Sequence, residues 1–360
     1  MLATKEELQT EIEAQRNLLS TDRLDISFGE LMSMYEREEI KIKPDFQRYF
    51  RWDEEQQTRF IESILLGIPI PPIFVASDGD GVWELVDGLQ RTSTVLSFFG
   101  ILKSEDKEIK EKNNWVLGAG NKIKTLEGFS YETLPNVFKL NIKRSTCRVE
   151  ILKWNSNYDM RFELFNRLNT GGSPLTAQEI RNCIYRDISS DFNDFLKHIS
   201  ENKDFLELID LNDNNLEQLY HEELALRFIS LYNNKDNIKT GLAQHMTDFM
   251  KHALENKEFD YEKYESIFIK TFKLLQPLSK SIFRSKDRKG RIITTIYDIV
   301  TIGVSEYYDF YKDKPITLIQ EKIDRHQKEI INVIKTSSSN GQKGRIIDRI
   351  EIARKIFGNQ

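Results

Sequence analysis

The sequence predicts an α+β protein, a mixed α/β N-terminal part followed by an all-helical part. Two observations predict it. Pro44, Pro69, Pro71, Pro72 and Pro135 punctuate the first part, whereas no proline stands between Pro174 and Pro277, and Gly241 is the only glycine there after Leu175. Proline and glycine break long elements, so short mixed elements are expected first and helices afterwards. The second observation is periodicity. VWELV and TCRVEIL read as strands, whereas LEQLYHEELALRFISLY repeats its apolar residues at helical spacing. The resulting boundaries are a helical extension over 1–24, a mixed domain over 25–155, and a helical domain over 156–360 that begins with the RLNTGG segment.

At the N-terminus, MLATKEELQTEIEAQRNLL is polar and carries Leu8, Ile12, Gln15 and Leu19 at helical spacing. Ser27-Phe28-Gly29-Glu30 has capping-box spacing ahead of a short helix, LMSMYERE. IKIKP is a short strand ended by Pro44. DEEQQTRFIESILLG is a helix with Phe60, Ile64 and Leu65 inward and Gly67 as its stop. The prolines of IPIPPIFVAS forbid a helix, and the segment ends as a strand. Asp78-Gly79-Asp80-Gly81 is a hairpin turn with VWELV as the returning strand. After Asp87-Gly88, residues Leu89, Thr92, Leu96 and Phe99 recur at helical spacing up to Gly100, which reads as strand, tight turn, helix. Residues 103–128 are charged and glycine-bearing, and an exposed insertion is expected there. TCRVEIL is a strand, and DMRFELFNRLN is a helix closed by Thr170-Gly171-Gly172. Thr176-Ala177-Gln178-Glu179 is a second capping box opening AQEIRNCIYR. Amphipathic helices fill 191–276, and the last helix puts Ile346, Ile350, Ala353 and Phe357 on one face.

Composition narrows the function. With 39% hydrophobic and 30% charged residues the chain has the balance of a soluble globular protein. A net charge of -5 gives no global attraction to nucleic acid, so any DNA contact must come from a local basic patch. Cys147 and Cys183 are too few for a disulfide framework or a cysteine zinc site. No apolar run has signal-peptide or bilayer-spanning length, and a cytoplasmic protein without a membrane partner is the simplest reading. All five histidines lie between His198 and His326.

Three motifs carry chemistry, each with a plain structural alternative. In VDGLQRT, a strand passing through Asp87-Gly88 into a helix leaves unpaired N–H groups at the helix start, where the dipole favours an anion. Gly88 lets phosphate approach the backbone, Arg91 can grip its oxygens, Asp87 can hold Mg2+ or position a nucleophile, and Gln90 can orient water. The alternative is an ordinary turn with a surface arginine. In PDFQRYFRW, Gln47 and Arg48 sit among aromatics that suit base stacking, or that belong to the core. In FNRLNTGGSPLTAQEIRN, Thr170-Gly171-Gly172 can bring backbone close to a ligand, with Asn166, Arg167, Asn169, Gln178, Glu179 and Arg181 as polar heads near the turn, or the segment simply caps a helix. FRSKDRKGR gathers Arg284, Lys286, Arg288, Lys289 and Arg291, a candidate DNA-backbone contact or a solvated loop. His245, Asp248 and His252 share a helix face without a further ligand cluster. HEXXH, Walker A and GxSxG patterns are absent from the sequence.

Taken in order, FQRYFRW (46–52), IPIPPIF (68–74), LVDGLQR (85–91) and RLNTGGSPLTAQE (167–179) resemble the N-terminal domain family of GmrSD-type (type IV) restriction endonucleases, itself distantly similar to the ParB/sulfiredoxin fold. The resemblance covers roughly residues 25–185. It implies a ParB/sulfiredoxin-like nucleotide-binding domain whose D-G-Q-Q-R loop binds and hydrolyses a nucleoside triphosphate with Mg2+. Asp87, Gln90 and Arg91 become the catalytic residues, Asp87 the metal ligand, and Gln47, Arg48, Gly88, Arg91, Asn169, Thr170 and Gly171 the nucleotide-binding residues. The implied role is prokaryotic DNA restriction and anti-phage defence, with DNA, including modified DNA, as a partner. Leu89 replaces the family's first glutamine. The region after Phe283 holds only His326 and no HNH pattern, so DNA cleavage is expected from a separate nuclease subunit. Two further readings stay open, a non-catalytic module that senses the nucleotide while binding DNA or a partner, and a nuclease built on the N-terminal fold. Oligomerisation is open.

Overall fold

The computed structural model describes residues 4–17, 21–42, 50–77, 80–104, 107–153, 176–185, 189–234, 238–278, 282–284, 291–336 and 343–358. The chain divides into two compact units, Met1–Leu175 and Thr176–Gln360. The first is mixed and the second helical, an α+β protein.

The first unit runs α1 (Lys5–Asn17), β1 (Thr21–Ser27), α2 (Phe28–Glu36), β2 (Ile40–Lys41), α3 (Glu54–Leu65), β3 (Ile73–Ser77), β4 (Trp83–Asp87), α4 (Leu89–Phe98), α5 (Lys107–Glu111), α6 (Asn136–Arg144) and β5 (Thr146–Leu152). Its five strands form one mixed sheet in the order β1-β5-β3-β4-β2. β1 is antiparallel to β5 with Ser27 opposite Thr146, β5 is parallel to β3, and the β3–β4 hairpin is antiparallel. Strand β1 lies partly inside the stretch expected to be a helical extension, in which the described helix is Lys5–Asn17. Ser27 caps α2 by accepting from the Glu30 N–H, and Asp53 and Gln56 close a full capping box on α3. Ile73, Val75 and Val149 are fully buried and anchor the sheet in the core.

Residues 103–128 are more than an exposed insertion. Ile109, Leu117 and Leu126 are buried, and Glu62 on α3 holds the segment in place. Its carboxylate accepts the backbone N–H groups of Asn121, Lys122 and Ile123 at 3.1, 2.7 and 2.7 Å. Gly120 makes room for it, since a Cβ there would stand 2.4 Å from Glu62 Oε1. Burial pushes the Glu62 carboxyl up, but the three N–H groups outweigh it and hold the pKa below the ordinary glutamate value.

The second unit comprises α7 (Ala177–Tyr185), α8 (Asp191–Ser200), α9 (Lys203–Ile209), α10 (Asp213–Glu217), α11 (Tyr220–Asn234), α12 (Leu242–Glu255), α13 (Tyr261–Leu275), α14 (Thr294–Glu306), α15 (Tyr308–Tyr311), α16 (Thr317–Arg325), α17 (Gln327–Thr336) and α18 (Lys343–Phe357). LEQLYHEELALRFISLY is not one helix: Leu219 takes φ 55°, ends α10 and lets α11 start afresh at Tyr220. Helix α14 is buried almost all round, and Phe205, Phe228, Phe268 and Phe272 form an edge-to-face cluster beside Tyr297. A carboxylate with two arginines stands in this core. Asp298, 2% exposed, takes the Arg227 guanidinium through both oxygens and the Arg349 Nη1 at 2.7 Å. Ile346, Ile350, Ala353 and Phe357 are all buried, as their spacing predicts.

Candidate functional site

The β4–α4 turn begins one residue early, in the sheet. β3 pairs Phe74 with Asp87 but Val75 with Leu85, so Val86 is an extra residue on β4. Such a bulge bends and twists the strand end, here the end that carries Asp87. Gly88 comes next at φ 97°, in the left-handed region where a side chain is strained. A Cβ at this position would also meet Ile73 Cγ1 at 3.1 Å and Arg91 Nη2 at 3.3 Å. Helix α4 starts at Leu89 with no side-chain cap on its first turn. The turn therefore presents a helix N-terminus without a capping oxygen, the sort of end that favours an anion.

Arg91 and Gln90 tie this turn to two other motifs. Arg91 Nη2 donates to Asp87 Oδ2 at 2.9 Å and to the Pro72 carbonyl at 3.0 Å, pinning the IPIPP loop against the helix start. Its Nε is buried and has no acceptor among the described residues. The Gln90 Oε1 accepts the backbone N–H groups of both Arg51 and Trp52 at 3.0 Å each. The Trp52 carbonyl in turn accepts from Gln57 Nε2 at 2.8 Å, and its ring packs edge-on to Phe60 at 5.5 Å. Phe50 is buried, with Lys112 Nζ 4.8 Å from its ring centre. Thus one glutamine fixes the end of FQRYFRW and one arginine fixes IPIPP, and three sequence motifs meet at Gly88.

Not every expected site residue can be placed. Asp87, Gly88, Gln90 and Arg91 stand together as the motif requires. Gln47, Arg48, Asn169, Thr170 and Gly171 lie outside the described residues. The close of the fourth motif is visible as the predicted capping box: the Thr176 N–H donates to Glu179 Oε2 at 2.7 Å, and the Glu179 N–H to Thr176 Oγ1 at 3.2 Å. Leu89 is buried at 4% exposure and belongs to the core. Sequence reasoning missed the three residues after Arg91. Thr92, Ser93 and Thr94 are buried, and their hydroxyls have no partner among the described residues. Three hydroxyl residues in a row on a helix with apolar neighbours were the available signal.

Among the described residues no group of three His, Cys, Asp or Glu side chains could hold a metal ion. His245 is buried with Nε2 3.1 Å from the Ser230 carbonyl oxygen, and Asp248 accepts from Gln244 at 2.7 Å. In the basic segment, Arg284 turns to the carbonyls of Ile209 and Asp210 and closes the end of α9, while Arg291 is exposed. Lys286, Arg288 and Lys289 lie outside the described residues. Burial pushes the Cys147 thiol up to about 12, so it stays protonated and is no nucleophile. No described helix is long and apolar enough to cross a membrane.

The family model of the GmrSD restriction endonuclease N-terminal domain matches residues 28–186. No curated protein and no solved structure matches the chain significantly.

Proposed function

Residues 28–186 belong to the GmrSD restriction endonuclease N-terminal domain family, and from that premise we propose that the chain is a nucleotide-binding component of a prokaryotic DNA restriction system acting in anti-phage defence. The observation that carries the reading is the Gly88 turn. An uncapped helix start lies beside an arginine whose buried Nε lacks an acceptor among the described residues. A phosphate oxygen fits that donor set. Gly88 keeps a Cβ out of a turn where Ile73 and Arg91 already stand close, the α4 N-terminus supplies positive potential, and Arg91 supplies charge.

Asp87 has a double role in this reading. Its carboxylate orients Arg91 at 2.9 Å, yet it also repels a second anion. Mg2+ bound with a nucleotide would neutralise phosphate charge, but Asp87 is the single carboxylate of the VDGLQRT turn and is already paired with Arg91. The turn therefore does not offer a metal site of its own, and no step is assigned to the ion.

Binding is the leading activity because Gln90 and Leu89 are committed elsewhere. The Gln90 carbonyl oxygen receives two backbone N–H groups, and Leu89 is apolar and buried, so neither aligns a water as built. The same contacts make the turn a sensor. A ligand that shifts Arg91 or Gln90 acts directly on Pro72 and on residues 51–52, and through them on the DNA or the nuclease partner. Hydrolysis is the second reading, favoured by the one-third exposure of the Asp87 side chain at the turn. DNA contact through Arg291 and the basic residues before it in the sequence belongs to the same proposal.

Binding and phosphate release with ATP, GTP and CTP, with and without DNA, separate these readings. Binding that is weakened in Arg91→Ala, without turnover, is the expected result. Turnover that disappears in Asp87→Asn promotes the hydrolytic reading. Binding that is unaffected by Arg91→Ala removes the site.

A further inference from the structure

Two helices of the first unit leave complementary faces uncovered. α1 is exposed from Lys5 to Ala14, with Leu8 and Ile12 at 54% and 42% exposure. Its first ten residues hold four glutamates and one lysine. An isolated helix of 13 residues is marginal in water and gains most of its stability from packing an apolar stripe. α6 is the opposite in charge. It buries Ile142 alone and has no acidic residue; Lys139 and Lys143 turn to the rings of Tyr131 and Phe99, and Arg144 is exposed. Val137, Leu140, Asn141 and Arg144 follow the i, i+3, i+4, i+7 spacing of one helix face and are all exposed, Val137 at 66%. Phe138 extends the apolar rim at 44%.

α6 joins the sheet at Thr146, opposite Ser27, whereas α1 joins it near Thr21, opposite Leu152. The two attachment points stand about 20 Å apart along the strands. In the single chain both faces are open at once.

We propose that α1 of one copy docks on α6 of a second copy, and reciprocally, to form a two-fold homodimer. The apolar stripe Leu8–Ile12 packs on Val137 and Leu140, and Glu11 and Glu13 border Arg144. A stable dimer needs about 1,000 Å2 of buried surface, and a two-fold contact uses the same patch pair twice. Charge complementarity favours α6 over a second α1, since two acidic α1 helices would repel.

Sedimentation equilibrium of the full chain tests this, with far-UV circular dichroism to confirm that each variant is folded. Wild type is expected to be a dimer. Leu8→Glu/Ile12→Glu, Glu11→Lys/Glu13→Lys and Asn141→Glu/Arg144→Glu are each expected to be monomers. Mixing the last two variants is expected to restore dimers, because both reciprocal contacts become complementary again. A monomeric wild type overturns the proposal, as does a dimer that persists in all three variants. Monomers that stay monomeric on mixing also overturn it, and if a single chain combining both swaps folds normally they assign α1 to its own α6 or to another partner.

Discussion

The Gln90 contacts give a quantitative expectation. Replacing Gln90 with leucine removes the acceptor of two part-buried N–H groups, those of Arg51 and Trp52, each at 3.0 Å. A hydrogen bond of this kind contributes about 1 kcal/mol net, so the pair contributes about 2 kcal/mol. At roughly 1.4 kcal/mol per tenfold, local opening of residues 50–52 becomes about thirtyfold more populated. Glutamate at the same position keeps an oxygen acceptor and is expected to keep the segment closed. Hydrogen exchange read residue by residue by NMR is the assay. Gln90→Leu should accelerate exchange at Arg51 and Trp52 by about that factor and leave the capped first turn of α3 nearer wild type, while Gln90→Glu should not. Equal protection of the two amides in wild type and Gln90→Leu would refute the clamp, and with it the route from the turn to FQRYFRW.

Three further expectations rest on single contacts. Gly88→Ala places a Cβ at φ 97° and 3.1 Å from Ile73, and should cost about 2 kcal/mol in urea unfolding from backbone strain and crowding. Glu62→Gln should destabilise the fold by about 1–2 kcal/mol at neutral pH. Because the folded carboxyl has a depressed pKa, that stability is present above the ordinary glutamate range and is lost as pH falls through the folded value. The gap between wild type and Glu62→Gln should therefore close on acidification, and a gap that does not change with pH would contradict the N–H cradle. Asp298→Ala strands the Arg227 and Arg349 guanidinium groups in the core and should cost about 3–5 kcal/mol, read as a fall in the melting temperature of the helical unit.

The range of each interaction decided whether the sequence disclosed it. VWELV and TCRVEIL were legible because alternation along a strand is local, and Gly88 because a tight strand-to-helix turn needs its conformational freedom. β1 was not, since TDRLDIS buries only Ile26 and gains its identity by pairing with β5 more than a hundred residues away. The order of residues 118–123 depends on Glu62, about sixty residues earlier, which no local pattern announces. The break at Leu219 lacks a glycine to mark it. At the candidate site, the grouping of Asp87, Gly88, Gln90 and Arg91 was legible as a motif. The commitments of Gln90 to Arg51 and Trp52, and of Arg91 to Pro72, were not, because they span 19 to 39 residues. Those commitments move the emphasis from catalysis to binding.

The central claim is that a nucleotide's phosphates bind at the Gly88 turn. Backbone amide NMR of the chain titrated with nucleoside triphosphate and Mg2+ tests it most directly. The account predicts that the largest shifts and the gain in exchange protection fall on Gly88, Leu89, Gln90 and Arg91, with secondary shifts at Arg51 and Trp52. Saturable binding that leaves those amides unmoved, or no binding of any triphosphate, would contradict it.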